Sequence, residues 1–204
     1  MTTSEPSARL YATISEIDRM NASDPRHEQI AGAQRPREIV YAERMTAYLE
    51  RIRPHASEAL RIAARAQHIR RWEIPRHTFA LGRDGYNAWR SACRDHHAGL
   101  VTGIMQNHGY SAPEIAHVVK LISKGDLKQD PESQALENVV GVVFVAHYLA
   151  GFVADHAEYD EPRLIGILRK TMRKMDATGH AVVVTLGMPP STRRLIEIAM
   201  EGND

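Results

Sequence analysis

Apolar residues recur at three- and four-residue intervals along most of this chain, and that spacing predicts helices almost everywhere. From Ser7 to Met20, the positions Leu10, Tyr11, Ile14 and Ile17 make a one-sided amphipathic helix. The stretch Asn21 to Arg37, with Asp-Pro, a glycine and Arg-Pro, reads as a loop. A second helix is expected from Pro36 to Arg53, with Ile39, Ala42, Met45 and Leu49 inward. A third is expected from Ala56 to Trp72, ended by Pro75. Helical spacing resumes from Tyr86 to Gly109, and Ser111-Ala-Pro-Glu114 is a capping box that opens a short helix, Ala112 to Ser123. Lys124 to Pro131 reads as a charged loop, followed by the most apolar element, Glu132 to His156, as the central helix of a bundle. Another helix opens at Asp160-Glu-Pro and carries Ile165, Leu168, Met172 and Met175. Ser191 is expected to cap a last one, Arg194 to Met200. The β-branched run Ala181 to Leu186 is the one strand candidate. The pattern therefore predicts an all-α bundle of about seven or eight helices. It reads as one domain over residues 1–204, with its core at about 7–186 and a C-terminal helix at about 191–201.

Composition narrows this picture by exclusion. The chain has 204 residues, 43% of them hydrophobic, which is too apolar for a disordered chain and long enough to bury a core. A single cysteine, Cys93, excludes an internal disulfide framework and fits a reducing, cytoplasmic setting. The polar N-terminus lacks the form of a secretory signal. The longest apolar stretch, Val139 to Val153, is shorter than the ~20 residues of a membrane span. A net charge of +1 with 6% aromatic residues implies no general attraction to nucleic acid. There is no P-loop, GxGxxG, CxxC or GxSxG, which removes the common nucleotide-cofactor, zinc-ribbon and serine-hydrolase readings.

The chemistry-bearing residues form two constellations. His68 lies near the end of the third helix and His97 lies 29 residues later in the fourth. Glu38 stands 30 residues before His68, and Glu137-Asn138 begins the apolar helix 40 residues after His97. One ligand from each of four antiparallel helices is how a bundle assembles a metal site, and imidazole with carboxylate suits a first-row divalent ion. The same four residues also read as independent polar side chains. Around them, Arg65, Arg71 and Arg76 lie near His68, and Tyr86, Trp89 and Arg90 precede His97. Guanidinium forks suit phosphate, and the aromatic rings suit stacking. The competing reading pairs those arginines with Glu38, Glu43 or Glu137 and buries the rings. Lys170, Arg173 and Lys174 form a basic stripe, which reads as a solvated face or as a surface for an anionic partner.

The order of Glu38, His68, His97 and Glu137-Asn138 on successive helices resembles the HD-domain superfamily of metal-dependent phosphohydrolases. Two departures stand out: Glu38 occupies the place of the first His, and Ile69 follows His68 where the superfamily has Asp. Without that bridging carboxylate, the resemblance implies one divalent ion, not two. The segments Glu38 to Met45, Arg65 to Trp72, Pro75-Arg76, Gly85 to Arg90, His97-Ala98, Glu137-Asn138 and Lys170 to Met175 are similar to the family known as domain of unknown function 4202, or DUF4202. That family is expected to carry Glu-Asp where this chain has Glu137-Asn138.

Three functions are compatible with these readings. The first is a metal-assisted hydrolase of a phosphorylated small molecule, such as a nucleotide. In it His68, His97, Glu38 and Glu137 are ligands, Glu38 and Glu137 double as catalytic groups, and Arg65, Arg71, Arg76, Tyr86, Trp89 and Arg90 hold the substrate. The second is a binding module that keeps the pocket for an anion or nucleotide without turnover. The third is an interaction scaffold, which predicts a homodimer or a hetero-partner.

Overall fold

The computed structural model describes residues 7–124 and 129–201. The described residues form ten α-helices and one two-stranded sheet, so the chain is mainly α as its periodicity predicts. They divide into two compact units, one holding residues 7–50 and 55–124, the other holding residues 51–54 and 129–201.

In the first unit, Ser7 caps α1 (Ala8–Asn21) by accepting the Leu10 amide at 3.2 Å. The segment expected to be a loop is instead a hairpin, β1 (His27–Ile30) with β2 (Ala33–Pro36), paired antiparallel with His27 opposite Pro36 and Ile30 opposite Ala33. Its two-residue turn, Ala31-Gly32, has φ of 48° and 86°. Positive φ at both positions is what a tight hairpin needs, and only the second carries the glycine that announces it. Then come α2 (Arg37–Ile52), α3 (Glu58–Arg65), α4 (Gly82–Asn107) and α5 (Ala112–Ser123). Ile17, Met45, Leu60, Ile62, Met105 and Ile122 are fully buried in their shared core.

The third helix ends seven residues earlier than its apolar spacing predicts, at Arg65 and not at Trp72. Beyond it the chain tightens through short turns to Arg70, whose φ of 49° is left-handed and incompatible with a continuing helix. The buried Asn21 side chain holds this turn by accepting the Arg70 amide at 3.0 Å. His68 and Arg71 thereby leave the helical repeat.

The second unit begins with α6 (Pro131–Val143), capped by Asp130. A single turn of π geometry follows at Phe144–Tyr148, and then α7 (Leu149–Asp155). This uninterrupted helical run of 25 residues is longer than the apolar stretch read from sequence. It is long and apolar enough to cross a membrane, but half of its most apolar window is buried inside the protein. α8 (Glu161–Met172), α9 (Ala177–Val184) and α10 (Pro190–Met200) complete the unit, with α6 packed on α9 and α8 on α10. The strand candidate Ala181 to Leu186 is mostly helical, because Asp176 caps α9 by accepting the Thr178 and Gly179 amides. A cap that satisfies free amides outweighs the weak β-preference of three valines. Ser191 is not a cap, since α10 starts at Pro190 after Pro189. The charged loop expected from Lys124 to Pro131 lies partly outside the described residues.

Two glycines of α4 should respond oppositely to alanine. A Cβ on Gly85 would fall 1.9 Å from the Ala80 carbonyl oxygen, whereas one on Gly99 meets nothing within 4 Å. Gly85→Ala is expected to lower stability by about 1–3 kcal/mol through backbone displacement. Gly99→Ala is expected to raise it by up to about 1 kcal/mol through helix propensity. Urea unfolding of the two variants checks both, and equal effects would contradict the geometry.

Candidate functional site

The hairpin that the loop reading missed brings a charged segment up to the start of α2. Asp24, just before it, is buried at 2% exposed. Its carboxylate accepts the Arg26 amide at 3.0 Å, Arg26 Nε at 3.0 Å, Arg26 Nη2 at 3.1 Å and the Glu38 amide at 3.1 Å. A carboxylate taking a first-turn amide also suits the positive end of the α2 dipole. Arg26 Nη2 in turn donates to Glu38 Oε1 at 2.6 Å. The second Glu38 oxygen, Oε2, lies 3.3 Å from His68 Nδ1. One turn along α2, Tyr41 stacks flat on the His68 ring, with centroids 3.8 Å apart and planes at 10°. His68 is thus held on a face by Tyr41 and on an edge by Glu38.

His97 reaches the same place from the middle of α4. It is 1% exposed, and its Nε2 has no hydrogen-bond partner among the described residues. Its ring centroid lies 6.1 Å from that of His68. Arg71, turned out of the α3 repeat by the left-handed Arg70, lays its guanidinium over the Trp89 ring at 4.6 Å. Trp89 is itself fixed by donating Nε1–H to the Ile74 carbonyl at 2.8 Å. No described residue accepts a hydrogen bond from the Arg71 guanidinium, which leaves its fork for another acceptor.

Burial and these cations set the charge states. Burial pushes the Glu38 carboxyl up to about 7, against the pull of Arg26 and Arg71. Burial also pushes His97 down to about 2, helped by His68 and Arg71. It drives His68 well below its usual range, helped by Arg71, Arg90, Lys124 and Arg37. Both imidazoles are therefore neutral near pH 7, with lone pairs to offer.

Of the predicted constellation, Glu38, His68 and His97 converge, with Arg71 and Trp89 beside them. Arg65 is committed elsewhere, to a fork on Asp18 at 2.7 Å for both bonds and to Thr46 Oγ1 at 3.1 Å. Arg76 donates to the Phe79 carbonyl at 3.0 Å. Tyr86 is exposed, tilted against Trp89 at 5.7 Å, and its hydroxyl takes Arg90 Nη1 at 3.3 Å. Glu137 belongs to the second unit, with Lys174 Nζ 3.8 Å away. Asn138 is a packing latch there: Oδ1 accepts the Asp176 amide at 3.0 Å and Gln134 Nε2 at 3.1 Å, and Nδ2 donates to Asp176 Oδ1 at 2.8 Å. Among the described residues, no group of three or more His, Cys, Asp and Glu is arranged to hold a metal ion. Sequence reasoning missed Asp24, Arg26 and Tyr41. Tyr41 carried a signal, three residues after Glu38 and so on the same helix face.

A model of one protein family matches residues 11–196, a span that holds every residue of this site. The chain belongs to the family described as domain of unknown function 4202. No curated protein and no solved structure matches it. Membership brings no activity with it, so the function has to be argued from the side chains.

The charge states of the site set how stability varies with pH. Between about pH 4.5 and 6.5 the unfolded chain protonates two histidines that stay neutral in the fold, whereas the fold protonates one extra carboxyl, Glu38. The unfolded state then holds about one more proton, so stability falls as pH falls, by up to about 1.4 kcal/mol per pH unit. The depressed Glu114 carboxyl, at about 2, acts in the same direction as the unfolded chain takes up its proton, mainly below about pH 5. Denaturant unfolding of metal-free protein at pH 7 and pH 5 measures the slope, and a flat or inverted profile contradicts the neutral pair. In the second unit, Asn138→Asp sets a carboxylate against the Asp176 carboxylate. It should cost about 1–3 kcal/mol at pH 7 and less in acid, where the pair shares a proton. An unchanged melting temperature at pH 7 would contradict the latch.

Proposed function

We propose that the chain is a metal-assisted hydrolase of a phosphorylated small molecule, with an HD-like site in its first unit. The observation that carries this reading is the pair of neutral imidazoles, the half-buried His68 and the buried His97, the latter with an orphaned Nε2. The two ring centroids lie 6.1 Å apart, so both imidazoles border the same space. His68 and His97 would hold one divalent ion, with Glu38 behind His68. Such an ion polarises a phosphoryl oxygen and lowers the pKa of its water. Arg71, stacked on Trp89 and with its fork unused, holds the phosphate and keeps the scissile bond beside the imidazoles. Hydrolysis forms a bond from a water oxygen to phosphorus and breaks the ester P–O bond, and the departing oxygen takes up a proton.

A second reading, an anion-binding module without turnover, is favoured by a specific observation. Arg26 already occupies one Glu38 oxygen, and the described residues supply no third ligand to the two histidines.

Metal analysis of protein purified without chelator, with turnover measured on a panel of phosphomonoesters and nucleotides, separates the two. The hydrolase reading expects about one equivalent of a first-row divalent ion, lost in His68→Ala and His97→Ala together with at least 100-fold of kcat/KM. Arg71→Ala should raise KM about tenfold, or about 1.4 kcal/mol. Absence of metal and turnover, with a melting temperature still raised by phosphate, would overturn the hydrolase in favour of the binding module.

A further inference from the structure

Asp24 and Arg26, just before the hairpin, have no part in the chemistry proposed for the site, yet their contacts end on its central histidine. The two carboxylate oxygens of Glu38 face different partners. Oε1 takes Arg26 Nη2 at 2.6 Å, and Oε2 faces His68 Nδ1 at 3.3 Å. Arg26 cannot swing away, because Asp24 grips it at Nε, at Nη2 and at the backbone amide. Asp24 is in turn fixed by burial and by the Glu38 amide. The result is a closed loop of contacts around one short stretch of backbone. A carboxylate oxygen opposite a ring nitrogen attracts an N–H and repels a lone pair, so this contact, with Glu38 ionised, favours the tautomer of His68 with its proton on Nδ1. Tyr41, flat against the ring, hinders the flip that would put Cδ2 in the place of Nδ1 opposite Glu38.

We propose that Asp24 and Arg26 are positioning residues, which pin Glu38 so that His68 is held as the Nδ1–H tautomer with its Nε2 lone pair bare. An anchored outer carboxylate of this kind typically governs 10–100-fold in metal affinity or activity. That consequence rests on the hydrolase reading. The tautomer itself does not.

Long-range 1H–15N spectra of the imidazole nitrogens in chelator-treated protein at about pH 8, where Glu38 is ionised, test the tautomer directly, with His68→Gln assigning the resonance. The expected wild-type signature is a protonated Nδ1 and a bare Nε2 at His68. Arg26→Ala should convert it to a mixture, and Arg26→Lys, which keeps one charged donor for Glu38, should restore most of it. Asp24→Asn should act in the same direction as Arg26→Ala and provides a milder lesion if that variant fails to fold. A wild-type His68 protonated on Nε2, or a signature unmoved by both Arg26→Ala and Asp24→Asn, overturns the proposal. A titration with Co2+ then reads the consequence: Arg26→Ala should weaken binding 10–100-fold and Arg26→Lys should recover it. If Co2+ fails to bind wild-type protein, the hydrolase reading falls while the tautomer result stands on its own. If Co2+ binds and Arg26→Ala leaves its affinity unchanged, positioning is refuted with the hydrolase intact.

Discussion

A carboxylate buried to 3% exposure at the first turn of a helix is the constraint around which the first unit is built. Left alone, Glu38 would cost several kcal/mol as an anion, or would take a proton and lose its electrostatic value. Arg26 compensates it from a neighbouring segment, and Arg26 can do so only because the hairpin and the buried Asp24 fix the chain before α2. Three separated stretches of sequence thus meet at one carboxylate: the approach to the hairpin, the start of α2, and the irregular segment after α3 through His68. Removing one member of such a buried set leaves the others uncompensated, which is why the arrangement is more demanding than a surface ion pair.

Where a local signal satisfies backbone groups directly, sequence and structure agree closely. The Ser111–Glu114 capping box and the helix it opens coincide with α5, and Ser7 starts α1. The misreadings fall where a distant side chain decides. The end of α3 is set by Asn21, which takes the Arg70 amide from across the first unit, and no periodicity within residues 56–72 reports that. The hairpin was hidden because its first turn residue, Ala31, adopts a positive φ that its type gives no reason to expect. The valine run of α9 reads as a strand until Asp176 is seen to cap it and Asn138 to receive it.

The candidate site shows the same division. Glu38, His68 and His97 were legible as a group because they are spaced 30 and 29 residues apart, about one helix and its connection each, although α2, α3 and α4 have 16, 8 and 26 residues and His68 lies beyond α3. The arginines were not separable in that way. Arg65 and Arg71 are six residues apart and chemically identical, but Arg65 stays on α3 facing Asp18 while Arg71 follows the left-handed turn toward Trp89. Which guanidinium is used up and which is left over depends on that single backbone dihedral.

The neutral state of the imidazoles follows from the same balance of charge. Around His68 the structure gathers Arg71, Arg90, Lys124 and Arg37, and the buried Glu38 carboxylate beside it is already shared with Arg26. A proton on either ring would add a cation to an excess of cations in a place with little water, so both rings keep their lone pairs. The site is therefore rich in donors and positive charge, and it holds two Lewis-basic rings whose centres are 6.1 Å apart. That combination disfavours organic cations, which bring charge of the wrong sign and no vacant orbital. The proposed hydrolase would use it for an anion at the guanidinium and an electron-pair acceptor at the imidazoles, as a phosphate ester with a divalent ion would supply.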